Sequence, residues 1–508
     1  MVQRARSARS ARDVACRVLR RVIHEQAFAN LTLAGELDAC GLDARDRRLA
    51  TELVYGVCRH LTRIDRALAA KTRHGLGKVK PAVLAILRVG AYQLLFLDRV
   101  PDHAAVSEAV AAARDLGGAR LAAFANSILR RLTREGEPSL PDADDVCRYI
   151  EVAHSLPGWI AGRLASQLGD PADSLHAAKA LSKPAGLAIR GNFARITGHG
   201  VADQRSRQGM RSGVPTEQSG RPAGYSIGGD SQPDQPLAAL RELLRGESPD
   251  AEIRASPFCP GALIVAGLGD PERSPSFRDG LWTVQDVAAQ LVSRLVAAVG
   301  EPLRILDACA GVGGKTTHLA ELHGDHAVID AADRSPNKLA LLDRNARRLG
   351  VEERIACHAI DLVAAGATGA EQLGHSYDAV VLDAPCTGLG VLRRHPETKW
   401  RVGESDVSRM AAVQRELLDA VCTRVRSGGV LVYSVCTFTA EEGQDQIASF
   451  LDRHPEFSLA PPPAQGDEGG TDSESVPWAD LCPEPGIMIT WPHRHGADGF
   501  FAARMVRK

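Results

Sequence analysis

LDACAGVGGKTTHL, residues 306–319, decides the architecture of the larger part of this chain. An apolar run ending at Asp307 gives way to a glycine-rich turn, and a helix opens at Thr316. Glycines let a backbone turn tightly and approach a nucleotide closely. The turn is not a phosphate loop of the GxxxxGK[ST] kind, because Cys309 stands where the first glycine belongs. Nor does it complete GxGxxG, since Thr316 takes the last glycine position. Outward from here, apolar runs at 304–309, 327–332, 355–360, 379–382 and 430–434 alternate with helical stretches. That alternation predicts an α/β domain with a mostly parallel, doubly wound sheet, whose ligands bind beyond the carboxyl ends of the strands.

Acids stand at three of those ends: Asp307, Asp333 and Asp361. An acid about 20 residues past the glycines commonly takes ribose hydroxyls, which is the position of Asp333. Asp361 is placed to accept from an adenine amino group. Any one of the three, taken singly, reads equally well as a helix N-cap. Beyond Lys315 no cations accompany them, so a cofactor with adenosine, no phosphates and a positive centre fits: S-adenosylmethionine.

Two thiols sit just past apolar runs, Cys386 in YDAVVLDAPCTGLG and Cys436 in GGVLVYSVCTFTAEEG. Methyl transfer to carbon 5 of a pyrimidine needs a thiolate adding at carbon 6. It also needs an acid supporting ring N3 and a base removing the carbon 5 proton. Asp383 and Cys386 offer a carboxyl group and a thiol at one strand tip, and Ser434-Val435-Cys436 offers the second thiol from the strand expected beside it. A free thiol of pKa ~8.5 is only a few per cent ionised at neutral pH, so neighbours are expected to lower it. Chemistry alone does not choose the attacking sulfur. The Pro385-Cys386 dipeptide favours Cys386, as in DNA cytosine methyltransferases. Cys16, Cys40, Cys58, Cys147, Cys259, Cys357, Cys422 and Cys482 read as small packing residues. Arg393, Arg394, His395 and Lys399 follow Cys386 and are candidates to hold RNA phosphates, with Trp400 available to stack or pack. A solvated loop is the competing reading.

The 508 residues predict about three domains. A net charge of -1 hides an asymmetry: residues 1–134 hold 24 Lys/Arg against 12 Asp/Glu. A basic module on an acidic body suggests a polyanionic partner. Eleven scattered cysteines without a CxxC pair argue against a disulfide framework and a metal site, and fit a reducing cytoplasm. The basic N-terminus lacks the apolar core of a signal peptide. The longest apolar stretch, 81–97, is too short for a membrane span and carries Arg88. No membrane partner is expected.

Residues 8–134 read as helical. Ala50, Leu53, Val54, Val57, Leu61, Ile64 and Leu68 step by three and four, placing them on one helix face. PAVLAILRVGAYQLLFL is apolar nearly all round, as a central bundle helix would be, with Pro81 in its first turn. Helices are expected over 102–116 and 119–134, parted by Gly117-Gly118, and a further helical pattern over 145–190. Residues 198–236, rich in Gly, Ser, Gln and Pro, read as a flexible insertion, and 461–477 as a second polar loop.

DACAGVGGKTTHLAEL, VVLDAPCTGLGVLRRHPETKW, LVYSVCTFTAEEG and DGFFAARMVR resemble, in order, the serial motifs of the RsmB/Sun family of RNA cytosine-5 methyltransferases. DRRLATELVYGVCRH and AFANSILRRL resemble the NusB-like RNA-binding domain. The resemblance implies a multidomain chain: a NusB-like all-helical domain over 1–140, a small linking domain over 141–275, and a Rossmann-like class I methyltransferase domain over 276–508. It further implies that Cys436 is the nucleophile, that Cys386 assists product release, and that Asp383 contacts the cytosine. Cys309, Ala310, Gly311, Val312, Gly313, Gly314, Lys315, Asp333, Asp361 and Asp383 would line the S-adenosylmethionine site. The implied substrate is a cytosine of 16S rRNA, modified by a monomer; tRNA, another rRNA, or a non-catalytic assembly role are the rival readings. FRDGLWTVQDVAAQLV, from Phe277, is similar to a family segment bordering the active site. Gly311-Val312 replaces the family's Ala-Pro, Val435 its Thr or Ser, and Ile189-Arg190-Gly191-Asn192 its Arg-Val-Asn.

Overall fold

In a computed structural model of the chain, the described residues are 10–197, 235–296, 303–365, 373–374, 376–463 and 476–508. They form two compact units. One comprises Met1–Ala185, Thr387–Arg409 and Thr437–Thr439; the other comprises Gly186–Cys386, Met410–Cys436 and Ala440–Lys508. Residues 198–234 and 464–475 of the two polar segments lie outside the described residues. Gln235 already opens a helix, Gln235–Glu247, so the insertion ends there.

The first unit is helical. Helices α1 (Ala11–His24), α2 (Ala29–Asp38), α3 (Ala44–Arg59), α4 (Leu61–Ala69), α5 (Pro81–Phe96) and α6 (Asp102–Glu135) share one apolar core. The seven positions read as one face are all buried there. The continuous helix they suggested breaks at His60, where the backbone leaves helical geometry between α3 and α4. Every residue of α5 from Val83 to Gln93 is buried, as an all-round apolar helix must be. Truncating one such side chain, Leu87→Ala for example, would cost about 2–5 kcal/mol. α6 kinks at Gly117-Gly118, and Gly118 has φ +77, a conformation that side chains resist. Helices α7 (Val146–Ala153), α8 (Gly158–Leu168) and α9 (Pro171–Leu181) follow, capped by Asp145 and Asp170 at the first and last.

The helical pattern expected to 190 stops at Leu181, and the chain turns extended as β1 (Leu187–Gly191). Together with β2 (Glu252–Ala255), β3 (Ala262–Ala266) and β4 (Trp282–Val284) it builds an antiparallel sheet ordered β2-β3-β1-β4. Ile189, Leu240, Leu244, Leu263, Val265 and Trp282 form its core. No such sheet was legible, because its strands are only three to five residues long.

The second sheet contains all five expected strands: β5 (Leu303–Asp307), β6 (Ala327–Asp333), β7 (Ile355–Ala359), β8 (Tyr377–Asp383) and β9 (Val425–Val435). They run parallel in the order β7-β6-β5-β8-β9. Three further strands, β10 (Phe457–Leu459), β11 (Ile487–Thr490) and β12 (Phe500–Arg507), complete the β9 side through antiparallel pairing. This is the Rossmann-like, mostly parallel architecture expected. β8 and β9 are buried along their centres on both faces, which is why they read as unbroken apolar runs. No helix among the described residues is long and apolar enough to cross a membrane.

Candidate active site

β8 and β9 pair in parallel with Asp383 beside Ser434, so both thiols leave neighbouring strands at the same end. Cys386 Sγ and Cys436 Sγ lie 3.3 Å apart. The Cys386 thiol is held well above its ordinary range, first by its hydrogen bond to Cys436 and then by burial, with Glu442 and Asp383 adding repulsion. A thiol lowered by its neighbours is therefore not what the fold provides at Cys386. It provides one kept protonated.

Three residues that sequence reasoning passed over hold this tip. Gln414 Nε2 donates to Pro385 O at 2.9 Å and to Glu442 Oε1 at 3.1 Å. Tyr433 OH donates to the Glu442 carbonyl at 2.7 Å, and all three side chains are buried. A charged residue inside the quoted run TAEEG was the one available signal. A buried carboxylate is tolerated only with such partners.

Asp383 ties the thiol tip to the glycine-rich turn. Its Oδ2 is 2.6 Å from Lys315 Nζ, and its Oδ1 accepts from Ser434 Oγ at 2.8 Å. Lys315 is only 9% exposed in its side chain, which lies with Nζ 5.4 Å from the Phe500 ring centroid. Charge-assisted contacts of this length are the strong kind.

The turn itself folds as the glycines allow. Gly313 has φ +87 and presses against Leu342, whose Cγ would lie 2.5 Å from an added Cβ. At Gly314 an added Cβ would meet nothing, so this part of the turn faces open space. Ala310 N donates to Ala332 O at 3.0 Å, fixing the turn against β6. Val312 is 48% exposed, whereas the Cys309 thiol is pushed up by burial and packs against the sheet core. Asp333 Oδ2 accepts from Gly311 N at 3.0 Å and Oδ1 from Ser335 N at 2.8 Å. Asp307 accepts from Thr316 Oγ1 at 2.6 Å, and its other oxygen is buried without a partner. Burial pushes its carboxyl up to about 6. Asp361 lies two residues past β7, exposed, with Oδ1 accepting from Val363 N and Ala364 N at 3.1 Å each. Its N-cap geometry matches the competing reading of that acid.

The basic run behaves unevenly. Arg393, Arg394 and His395 are partly exposed. Lys399 is 2% exposed, and its ammonium donates to Arg59 O at 2.8 Å and His154 O at 3.5 Å. It is turned into the helical unit rather than toward a phosphate. Trp400 likewise packs on the helical core and donates from Nε1 to Cys58 O at 2.7 Å, so it packs rather than stacks. The segment from Phe277 packs with the small sheet, the Phe277 and Trp282 rings meeting edge-on at 4.9 Å.

A model of the 16S rRNA methyltransferase RsmB/F family matches residues 295–506, and one of the NusB family matches residues 9–134. A protein of Mycobacterium tuberculosis (strain H37Rv) named as a methyltransferase is 34% identical over 515 residues, 99% of this chain and 98% of its own. The ribosomal RNA small subunit methyltransferase B of Shewanella oneidensis is 30% identical over 464 residues, 91% of each chain. The crystal structure of PH0851 shares the fold, with a TM-score of 0.72 at 23% identity over 98% of this chain and 99% of that one. The chain belongs to the RsmB/F family of rRNA methyltransferases, with a NusB-family domain preceding the methyltransferase domain in sequence.

Proposed function

We propose that this methyltransferase uses S-adenosylmethionine to methylate carbon 5 of a cytosine in 16S rRNA, through a covalent adduct to Cys436. The observation that carries this reading is the thiol pair 3.3 Å apart, with Cys386 kept protonated beside Asp383. A thiol that keeps its proton is a poor nucleophile and a donor to its neighbour. Of the two sulfurs, the resemblance to the family assigns the attack to Cys436, with Cys386 beside it.

The residues of the turn suit the cofactor. The open side of Gly314, the buried unpartnered oxygen of Asp307 and the strand-tip carboxylates of Asp333 and Asp361 suit a cationic adenosine compound. Cys309 to Lys315 would form the floor of that site. When bound, the cofactor supplies an electrophilic methyl group.

The chain's own residues do the rest. Cys436 sulfur adds at carbon 6, and the ring becomes enamine-like at carbon 5. Asp383 supports the cytosine at ring N3, and the Lys315 ammonium paired with it supplies the balancing positive charge as negative charge builds on the ring. After transfer, Cys386 gives its proton to the departing Cys436 sulfur and takes up the carbon 5 proton in its place, so elimination restores both thiols. Ser434 keeps the Asp383 carboxyl in line with the strand tip. Arg393, Arg394 and His395 hold RNA phosphates, while Lys399 supports their loop from inside. The basic NusB-family domain adds phosphate contacts, which offset the few kcal/mol needed to unstack the target base.

The test is methyl transfer from labelled S-adenosylmethionine to unmodified 16S rRNA, 23S rRNA and tRNA, with nucleoside analysis. The expected product is 5-methylcytosine in 16S rRNA, absent with Cys436→Ala. Cys386→Ala is expected to accumulate a protein–RNA adduct that survives denaturation. Full activity in Cys436→Ala would overturn the mechanism. Label in tRNA alone would move the substrate, and no transfer to any RNA would favour an assembly factor.

A further inference from the structure

Arg190 stands at the end of β1 in the small sheet, 3% exposed. Its guanidinium grips Glu321 with two bonds, Nε to Oε2 at 2.9 Å and Nη2 to Oε1 at 2.8 Å. Nη1 donates to Gln285 Oε1 and, at 3.0 Å, to the Gly314 carbonyl. Nη2 also donates to Thr317 Oγ1 at 3.1 Å. Thr317 in turn donates from Oγ1 to the Gly313 carbonyl at 2.7 Å. One buried side chain therefore reaches the carbonyls of two successive turn glycines, Gly314 directly and Gly313 through Thr317.

The placement is chemically telling. A guanidinium in the interior has five N–H donors to satisfy, and Glu321 takes only two of them. The fork is divided between Glu321, on the helix Gly314–His323, and the first turn of that same helix. Side chains of the turn do not hold it: Gly311, Gly313 and Gly314 have none. Thr317 holds the Gly313 carbonyl from within the helix, by its N–H and its Oγ1, and Arg190 adds the hold that comes from another element. A lysine could not replace the arginine, since it lacks the planar fork that reaches several acceptors at once.

We propose that Arg190 is a positioning residue for the cofactor turn. The small sheet thereby acts through it as a brace that sets the turn's geometry before the cofactor arrives. Pre-organisation lowers the ordering cost that binding would otherwise carry. The inference rests on the reading that the turn Cys309–Lys315 holds S-adenosylmethionine.

The experiment measures S-adenosylmethionine affinity by calorimetry on the full-length protein, with thermal melts and steady-state kinetics alongside. Arg190→Lys keeps the charge beside Glu321 and is expected to weaken cofactor binding about tenfold, with kcat at saturating cofactor within about twofold. Thr317→Val, which introduces no buried charge and tests the brace should Arg190→Lys fail to fold, is expected to weaken it by several-fold. The double variant should fall short of the product of the two, because both act on one contact chain. A lowered melting temperature with unchanged cofactor affinity in both variants would make Arg190 merely structural and overturn the proposal. Asp333→Ala separates the underlying reading: if it leaves cofactor affinity intact, the site is misassigned, whatever Arg190 does.

Discussion

Two lysines that share an interior position have opposite surroundings. Lys315 at the cofactor turn meets the Asp383 carboxylate at 2.6 Å. Lys399, in the loop after Cys386, meets backbone carbonyls of Arg59 and His154. Its pKa is pushed down to about 7, by burial first and by the Arg59 charge second. A buried ammonium against a carboxylate has an opposite charge to hold it as a working part of a site; one with carbonyls alone is a structural peg that gives up its proton easily. In sequence the two looked alike, each a basic residue beside a motif.

The largest expected effect lies at the paired lysine. Lys315→Met would leave Asp383 half-exposed and without its cation, removing the support for ring N3. We expect methyl transfer to fall on the order of 100- to 1000-fold, by analogy with the loss of one electrostatic partner in an active site. Single-turnover assays check this. A loss under tenfold would place Lys315 with Lys399, as a peg.

Lys399→Met tests the other side. The folded pKa of Lys399 lies below its unfolded value of ~10.4, so across that interval the unfolded chain binds the extra proton and stability rises with pH. The contribution is complete above ~10.4 and is lost as pH falls toward about 7. Between pH ~7 and ~10 wild type should gain on the order of a few kcal/mol relative to Lys399→Met. Denaturant midpoints at several pH values measure it. Parallel curves would mean Lys399 stays charged in the fold.

Asp307 runs the opposite way at the cofactor sheet. Burial lifts its folded pKa to about 6, above an unfolded value of ~3.9. Its stabilising share is whole below ~3.9 and lost as pH rises through about 6. Asp307→Asn keeps an acceptor for Thr316 and should flatten that fall, leaving the variant about 1–2 kcal/mol more stable at pH 7. Melting temperature against pH decides.

The five parallel strands and the glycine-rich turn were legible because buried parallel strands write continuous apolar runs and the turn writes glycines. Cys386, Cys436 and Asp383 were legible as strand-tip residues, and register placed them together. The small sheet was not: three-residue β4 has no period to detect. Arg190 was visible only as the arginine of a segment standing for the family's Arg-Val-Asn, with no local sign of a partner, since what it grips lies 95 to 131 residues away. The burial of Lys399 was illegible for the same reason. Its burial depends on Arg59 and His154, which nothing local announces.

The smallest effect sharpens the comparison within one motif. Arg394 and Lys399 lie in the run RRHPETKW, yet Arg394 is partly exposed and Lys399 is buried. A residue on an RNA phosphate releases counterions when it binds, and removing it lowers the slope of log affinity against log salt by roughly 0.7 to 0.9. Arg394→Gln should therefore weaken 16S rRNA binding by less than about tenfold and lower that slope by about one contact. Lys399→Met, assayed where it is folded, should leave the slope unchanged, because a peg held by carbonyls releases no counterion. If the two variants lower the slope equally, Lys399 leaves its pocket to meet RNA. The distinction drawn between the two buried lysines would then hold only for the free protein.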